Sequence, residues 1–557
     1  MHVSRCGTRL ARWAAVGLSA VILLAGCPVF EPMDSLPMQE EEHWLRFVQI
    51  SDIHIVDEES PGRAVLMDNL VASSWRPHEA YSTQILDATL RTINRHHYSG
   101  MATGRGPVDF VIVTGDVTDN LQFNEVRWFM DVMDGQWVNP DSGALDGELR
   151  NIDAEDNPNL PFKAVGLAKD IPWYSAIGNH DATCLGNFHV VRTSPDPVDW
   201  YAPQASVIAG FMGLGAMNPP QTALIPTLDQ SPAVLLASEE RIDPNTLQLR
   251  TDELVAGPIP ADDNRHFVSK NRFIEEHFNT TTLPIGHGFD ATCRNLGVPR
   301  YSVRPKRDVS IRLIVLDSAG PDSVNDSVAA SGAITTEQFE NFLKPEVKKA
   351  QDNKEYVIVF THHPSRGFTK PVVSPTVPTS VFRSFLAGQP NVIAHFCGHV
   401  HYHEVEKISG KYPYLEILTG GVIDYPQEAR LIDLFYNREK KTFRLHSQLI
   451  SHMENPTNLS RIGYERCAID MIEDPHDYDY TEHVTMPEPQ FESLSAKNNL
   501  TSEEAEVLAE YFDDSIFAAP SDARKIAGRP ATAVTPEQRY GDPEDRDFSF
   551  TFSRPEL

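Results

Sequence analysis

The residues FCGHVHYH, Phe396–His403, place three histidines at alternate positions directly after an apolar run. On a strand, that period would put His399, His401 and His403 on one face. Alone, the pattern fits a metal site or a strand that happens to carry histidines. Four other apolar runs end in the same way. LRFVQI is followed by SDIH, giving Asp52 and His54. DFVIVT is followed by GDVTD, giving Asp116 and Asp119. IPWYSAI leads into GNHD, with Asn179, His180 and Asp181, and EYVIVF leads into THHP, with His362 and His363. Five runs therefore deliver oxygen or imidazole donors where each run stops. Mixed imidazole and oxygen donors suit Mn, Fe, Zn, Co or Ni better than Ca or Mg alone.

These groups can meet only if the runs are buried strands side by side. The runs are short, rich in Val, Ile and Phe, and bounded by Gly, Asp or Pro. Helical patterns separate several of them. In 79–97, Ile85, Leu86, Leu90 and Ile93 share a face. In 334–351, Thr335 and Gln338 fit a capping box and Ile334 with Phe339 a hydrophobic staple. Strands alternating with helices predict an α/β core, in which ligands bind beyond the carboxyl ends of the strands. After the histidine stretch the runs YLEILTGGVID, ARLIDLFYN and TFRLHSQLIS lack helices between them and predict mixed or antiparallel pairing.

The order and spacing of these donors resemble the calcineurin-like metallophosphoesterases, whose pattern is D-x-H, G-D-x-x-D, G-N-H-D/E, H and G-H-x-H. The resemblance covers about 45–190 and 300–450. It implies an α/β fold of four layers, an α/β/β/α sandwich, with residues about 190–300 as a cap-like insertion. It also implies two divalent metal ions. Asp116 would bridge them, because a carboxylate has two oxygens. Asp52, His54 and His401 would complete one site, and Asn179, His362 and His399 the other. His180, held by Asp181, would donate a proton to the leaving oxygen after in-line attack on phosphorus by a hydroxide activated between the metals. Asn179, His180 and Arg366 would contact the substrate. His363 and His403 fall outside the ligand pattern, and Asp119 and Asp181 are expected to orient ligands. The tyrosine of purple acid phosphatases is missing near Asp119, which argues against an iron–tyrosinate site.

The chain has 557 residues, 41% hydrophobic and 23% charged, an ordinary globular balance with room for a large core. A net charge of −30 opposes a nucleic-acid polymer as partner but not a small anionic phosphoester held by cations. Residues 1–26 carry Arg5, Arg9 and Arg12 before an apolar stretch from Trp13 to Gly26, short for a membrane span and right for a signal peptide. Leu24-Ala25-Gly26-Cys27 resembles the bacterial lipoprotein box, which implies lipidation at Cys27, a membrane anchor and residence in the cell envelope. Pro28, in place of Asp, implies outer-membrane sorting. Residues 27–43 read as an acidic, Pro-containing tether, 44–464 as the metallophosphoesterase domain, and 465–557 as an acidic extension, partly helical around 501–513 and otherwise disordered. Export permits disulfides. Cys184 and Cys293 each end the phrase DATC and are expected to pair, whereas Cys397, in an apolar run, is expected to be a buried thiol.

The functional expectation is an exported metal-dependent phosphoesterase acting on a monoester or a diester. The rival is a non-catalytic envelope lipoprotein that keeps the fold for binding. It predicts a lost ligand or a lost His180, and the sequence has lost neither. The insertion, with Phe211, Met212, Leu214 and Met217, would cover an apolar substrate or fill its own small core. Substrate identity and oligomeric state stay open at this level.

Overall fold

The computed structural model describes residues 40–58, 76, 78–142, 157–186, 190–192, 201–203, 242–243, 248–249, 262–320, 332–368, 375–472 and 539–557. The leader, Cys27, residues 27–39 of the tether, the apolar residues 211–217 and the helix expected near 501–513 lie outside them, whereas residues 41–43, expected to end the tether, open the first core strand. Among the described residues no helix is long and apolar enough to cross a membrane.

Each donor-bearing apolar run is a strand. In chain order the core strands are β1 (Glu41–Ile50), β2 (Phe110–Val113), β3 (Trp173–Ser175), β4 (Tyr301–Val303), β5 (Ile311–Val315), β6 (Tyr356–Phe360), β7 (Val392–Cys397), β8 (Glu404–Ile408), β9 (Tyr414–Leu418), β10 (Glu428–Asn437), β11 (Thr442–Ser451) and β12 (Phe548–Ser553). They form two six-stranded sheets, β12-β11-β10-β1-β2-β3 and β4-β5-β6-β7-β9-β8. β1, β2 and β3 are parallel, as are β5, β6, β7 and β9.

The alternation of side chains shows why the sheets stack. On β6, Ile358 and Phe360 join the core shared with the first sheet, while Val357 and Val359 face a separate core under helices. Phe47 of β1 stacks on Phe110 of β2 at 4.8 Å and meets Phe360 and Phe396 of the second sheet edge-on at 6.3 and 5.5 Å. Each such buried ring contributes roughly 1.5–3 kcal/mol. Outside the second sheet, α3 (Lys344–Asp352) and α4 (Thr379–Leu386) supply Val347, Ala350, Phe382 and Leu386. Outside the first lie α1 (Ser82–Thr103), with Ile85, Leu86, Leu90 and Ile93 buried, and α2 (Phe123–Met133). The four layers are therefore helix, sheet, sheet and helix, as expected. Thr335 accepts from the Gln338 backbone, but the Gln338 side chain turns to Asp317, so the expected capping box is half formed.

Two further boundaries and one expected disulfide differ from the structure. Residues 262–300 do not belong to a cap. The N–H groups of Trp173 and Ser175, on the open edge of β3, donate to Leu283 and His287 carbonyls at 3.0 and 2.9 Å, and Glu276 pairs with Arg127 of α2. An unpaired sheet edge needs such cover. Nor is the chain beyond 464 only an extension: β12 pairs antiparallel with the free edge of β11 over Thr442–Ser447. Composition concealed this strand, because FSFTFS stands alone among polar residues. Finally, Cys184 and Cys293 are buried free thiols, not a disulfide. The Cys293 thiol, in the short helix Ala291–Leu296, donates to the Arg300 carbonyl at 3.2 Å, so the shared DATC phrase does not mark a bridge.

Candidate metal centre

The loops after β1, β2, β3, β6 and β7 meet at one rim where the two sheets adjoin. Backbone hydrogen bonds first lock the β1 and β2 loops together. Asp52 N donates to Gly115 O, and the N–H groups of Ile53 and His54 both donate to Asp116 O, at 2.8 and 2.9 Å. Five of the expected ligands take left-handed backbone angles: Asp52, His54, Asp116, His399 and His401, with φ between 45° and 71°. Such residues cost about 1–3 kcal/mol each and persist where function needs them.

Three of the four expected ligand rings, His54, His401 and His362, are fixed by their outer nitrogen. His54 Nδ1 donates to Asp119 Oδ1 at 2.9 Å and His401 Nδ1 to Asp424 Oδ2 at 2.5 Å. Both Nε2 atoms therefore present lone pairs inward, and they lie 3.2 Å apart with Asp52 Oδ1 also 3.2 Å from His401 Nε2. His362 Nδ1 donates to Thr114 O at 2.8 Å, which turns its Nε2 lone pair toward Asn179 Oδ1 and Asp116 Oδ2, each at 3.0 Å. Asn179 is held in that orientation by donating through Nδ2 to Gly186 O. Lone pairs facing one another in a buried place repel unless a cation or a proton lies among them. This donor set fits two divalent cations, one among Asp52, His54 and His401 and one among Asp116, Asn179 and His362.

Asp116 stands between the two groups, with Oδ2 at 3.0 Å from His362 Nε2 and 3.7 Å from His54 Nε2. Its other oxygen is occupied by the His180 N–H at 2.8 Å. The carboxylate thus turns one oxygen, not two, toward both groups. Gly178 makes this possible: a Cβ there would lie 2.0 Å from Asp116 Oδ1.

The electrostatics of the cation-free site are those of anions seeking positive charge. Burial works to raise Asp52 but His401 and His362 pull it down to about 2. Asp116 is held well below the usual carboxylate range by His362 and His180 against its burial. Burial opposes the charged form of His362, yet Asp116 and Asp52 push it up to about 9. Burial lowers His54 to about 4, and burial with the neighbouring His362 lowers His399 to about 3, leaving both neutral and able to ligate. Metal binding would replace the protons that the carboxylates draw onto His362.

His399 gathers with His362 and His363, and His363 Nδ1 lies 2.9 Å from Ser318 Oγ. His363 is therefore closer to the donor set than the sequence pattern implied. His403 is buried against Gly420 N and Arg430, away from the donors, and is not a surface residue. His180 sits on the more open side, its ring edge-on to His54 at 4.6 Å. Asp181 does not hold it. Asp181 accepts from the N–H groups of Val117, Thr118 and Gly178, tying two loops together, and burial followed by Asp116 pushes its carboxyl up to about 6. His180 Nδ1 donates instead to the Asp119 carbonyl at 2.6 Å. Asp119 does orient a ligand, His54, and the helix that follows is capped by Gln122. Arg366 is taken up by Glu404 and the Tyr402 hydroxyl, which weakens its assignment to substrate.

The sequence reading missed Asp424, Arg76 and the carbonyl of Thr114. Asp424 follows β9 in TGGVID, a sixth strand end with a carboxylate, and could have been found on that ground.

Residues 45–213 match the family model described as calcineurin-like phosphoesterase. No curated protein matches. Among solved structures, the chain resembles a dimetal phosphatase from Danio rerio, at 12% identity and a TM-score of 0.34, over 74% of this chain and 97% of the other. The family match and the clustered His and Asp donors support a hydrolase of phosphoester bonds that works with two divalent metals.

Proposed function

We propose that this chain, with its calcineurin-like phosphoesterase segment, is an exported metal-dependent phosphoesterase that hydrolyses a small phosphomonoester or phosphodiester. The observation that carries the reading is the pair of inward lone pairs on His54 and His401, 3.2 Å apart, beside the group formed by Asp116, Asn179 and His362. Cations held by these residues, with His399 on the second, would acidify water and neutralise phosphate oxygens. The chain's own residues do the rest. Asp116 Oδ2 faces both groups and sets their separation. Asn179 contributes a neutral oxygen, so that side carries less negative charge than a third carboxylate would bring. His180, anchored through Nδ1, keeps Nε2 for passing a proton to the leaving oxygen. Export and anchoring rest on the leader and Cys27, and a net charge of −30 favours small substrates over polyanions.

The test is to strip metals, restore Mn²⁺, and assay p-nitrophenyl phosphate and its bis ester alongside a panel of nucleotides, sugar phosphates and phospholipids. Metal-dependent turnover of at least one class is expected. Two bound metals with no turnover on any class would defeat the proposal.

A further inference from the structure

Behind the donors lies a closed circuit of charges. Asp424 Oδ2 receives His401 Nδ1 at 2.5 Å and Arg539 Nη1 at 2.6 Å, while its Oδ1 receives Arg76 Nε at 2.8 Å. The same Arg76 reaches Asp119 Oδ1 with Nη1 at 3.4 Å, and that oxygen holds His54 Nδ1 at 2.9 Å. One guanidinium therefore clamps the two carboxylates that aim the two facing imidazoles. Arg76 is buried, and its side chain is 2% exposed; that of Arg539 is 12% exposed. Each has its carboxylate partner behind a ligand ring, and neither belongs to a strand-end motif.

Arg539 is delivered by the docked C-terminal segment. Beyond it, the Asp545 and Arg546 carbonyls accept from Arg430, Asp545 Oδ1 accepts from Val405 N, and β12 completes the first sheet. Gly541, at φ +82°, lies so close to the His403 carbonyl that a Cβ would come within 2.8 Å. The segment thus sits on the loop that carries His401. A carboxylate behind a ligating imidazole fixes its tautomer and orientation, and such partners are worth 10–100-fold in metal affinity. A carboxylate pinned by two guanidinium groups from remote parts of the chain cannot swing away from its ring.

We propose that Arg76 and Arg539 are positioning residues for the cation held by Asp52, His54 and His401, acting through Asp119 and Asp424, and that the C-terminal segment is thereby part of the metal centre. The inference rests on the two-metal reading. It is tested on the full chain with Arg539→Gln, Arg539→Lys and Arg76→Lys, each titrated with Co²⁺ and Mn²⁺ against a competing chelator, with the visible Co²⁺ spectrum and the metal-free melting temperature recorded in parallel. In Arg539→Gln, one equivalent weakens about 10–100-fold and its spectrum changes while the other keeps its affinity; Arg539→Lys recovers part of the loss. Arg76→Lys weakens the same equivalent, and the metal-free melting temperatures stay near that of the wild type. Wild-type affinity and spectrum for both equivalents in Arg539→Gln and Arg76→Lys would overturn the proposal and leave the two-metal reading standing. Failure of the wild type to bind two equivalents would overturn both.

Discussion

Gly178→Ala tests how closely the β2 and β3 loops must approach. The new methyl would lie 2.0 Å from Asp116 Oδ1, 2.3 Å from Asp116 N and 2.7 Å from Asp116 Cγ, whereas ordinary contact begins at 3.4 Å. The carboxylate would have to retreat by the difference, about 1.4 Å. Asp116 cannot simply rotate, because its carbonyl accepts from Ile53 and His54 and its Oδ1 from His180 N. Its Oδ2 would leave the position 3.0 Å from His362 and 3.7 Å from His54. A misplacement of about 1 Å at a reacting centre costs on the order of 10²-fold in rate, and the overpacking itself costs roughly 1–3 kcal/mol of stability. Metal titration with turnover of the best substrate from the panel should therefore show kcat/KM down by about 10² or more and weakened binding of at least one cation. A Gly178→Ala protein with two cations bound at wild-type affinity and wild-type turnover would refute the claim that Asp116 Oδ2 organises both groups.

Other consequences are accessible to simpler assays. His180→Ala should lower kcat by about 10²–10⁴ with metal content unchanged, and by less for p-nitrophenyl esters than for alkyl esters, whose leaving groups need the proton more; an equal loss on both would remove His180 from that role. Glu416, buried on β9, accepts from His395, Ser365 and Arg383; burial works to raise it, but His395 dominates and it falls from 4.5 to about 2. Its contribution, roughly 3 kcal/mol, is full above pH 4.5 and is lost as pH falls through about 2. Urea unfolding should accordingly find Glu416→Gln less stable than wild type at pH 7, with the gap narrowing as pH drops from 4.5 toward 3, and a gap independent of pH would contradict the assignment. A thiol reagent in denaturant without reductant should count Cys184, Cys293, Cys397 and Cys467 all as free, whereas loss of two would restore the bridge expected from sequence.

Much of the site was legible because strand ends are legible. A buried parallel strand is a continuous apolar run, so the polar residue that breaks it marks where the strand emerges, and five such breaks carried Asp52, Asp116, Asn179, His362 and His399. What aims these groups was legible only in part. Asp119 was expected to orient a ligand and holds His54, and Asp424 closes a sixth run open to the same strand-end reading, whereas Arg76 and Arg539 sit in stretches without periodicity, and their partners are set by tertiary approach alone. Asp181 misled for a related reason: adjacency to His180 suggested a side-chain contact, but the tight turn points the carboxylate back at the N–H groups of Val117, Thr118 and Gly178. The strand at 548–553 was hidden because an isolated alternating hexapeptide becomes a strand only when a free sheet edge is offered to it.

Anomalous diffraction from crystals grown with Mn²⁺ reaches the central claim most directly. Two peaks about 3.5–4 Å apart, one beside Asp52, His54 and His401 and the other beside Asn179 and His362, with Asp116 Oδ2 between them, are predicted. A single peak, or none at this rim, would contradict the account.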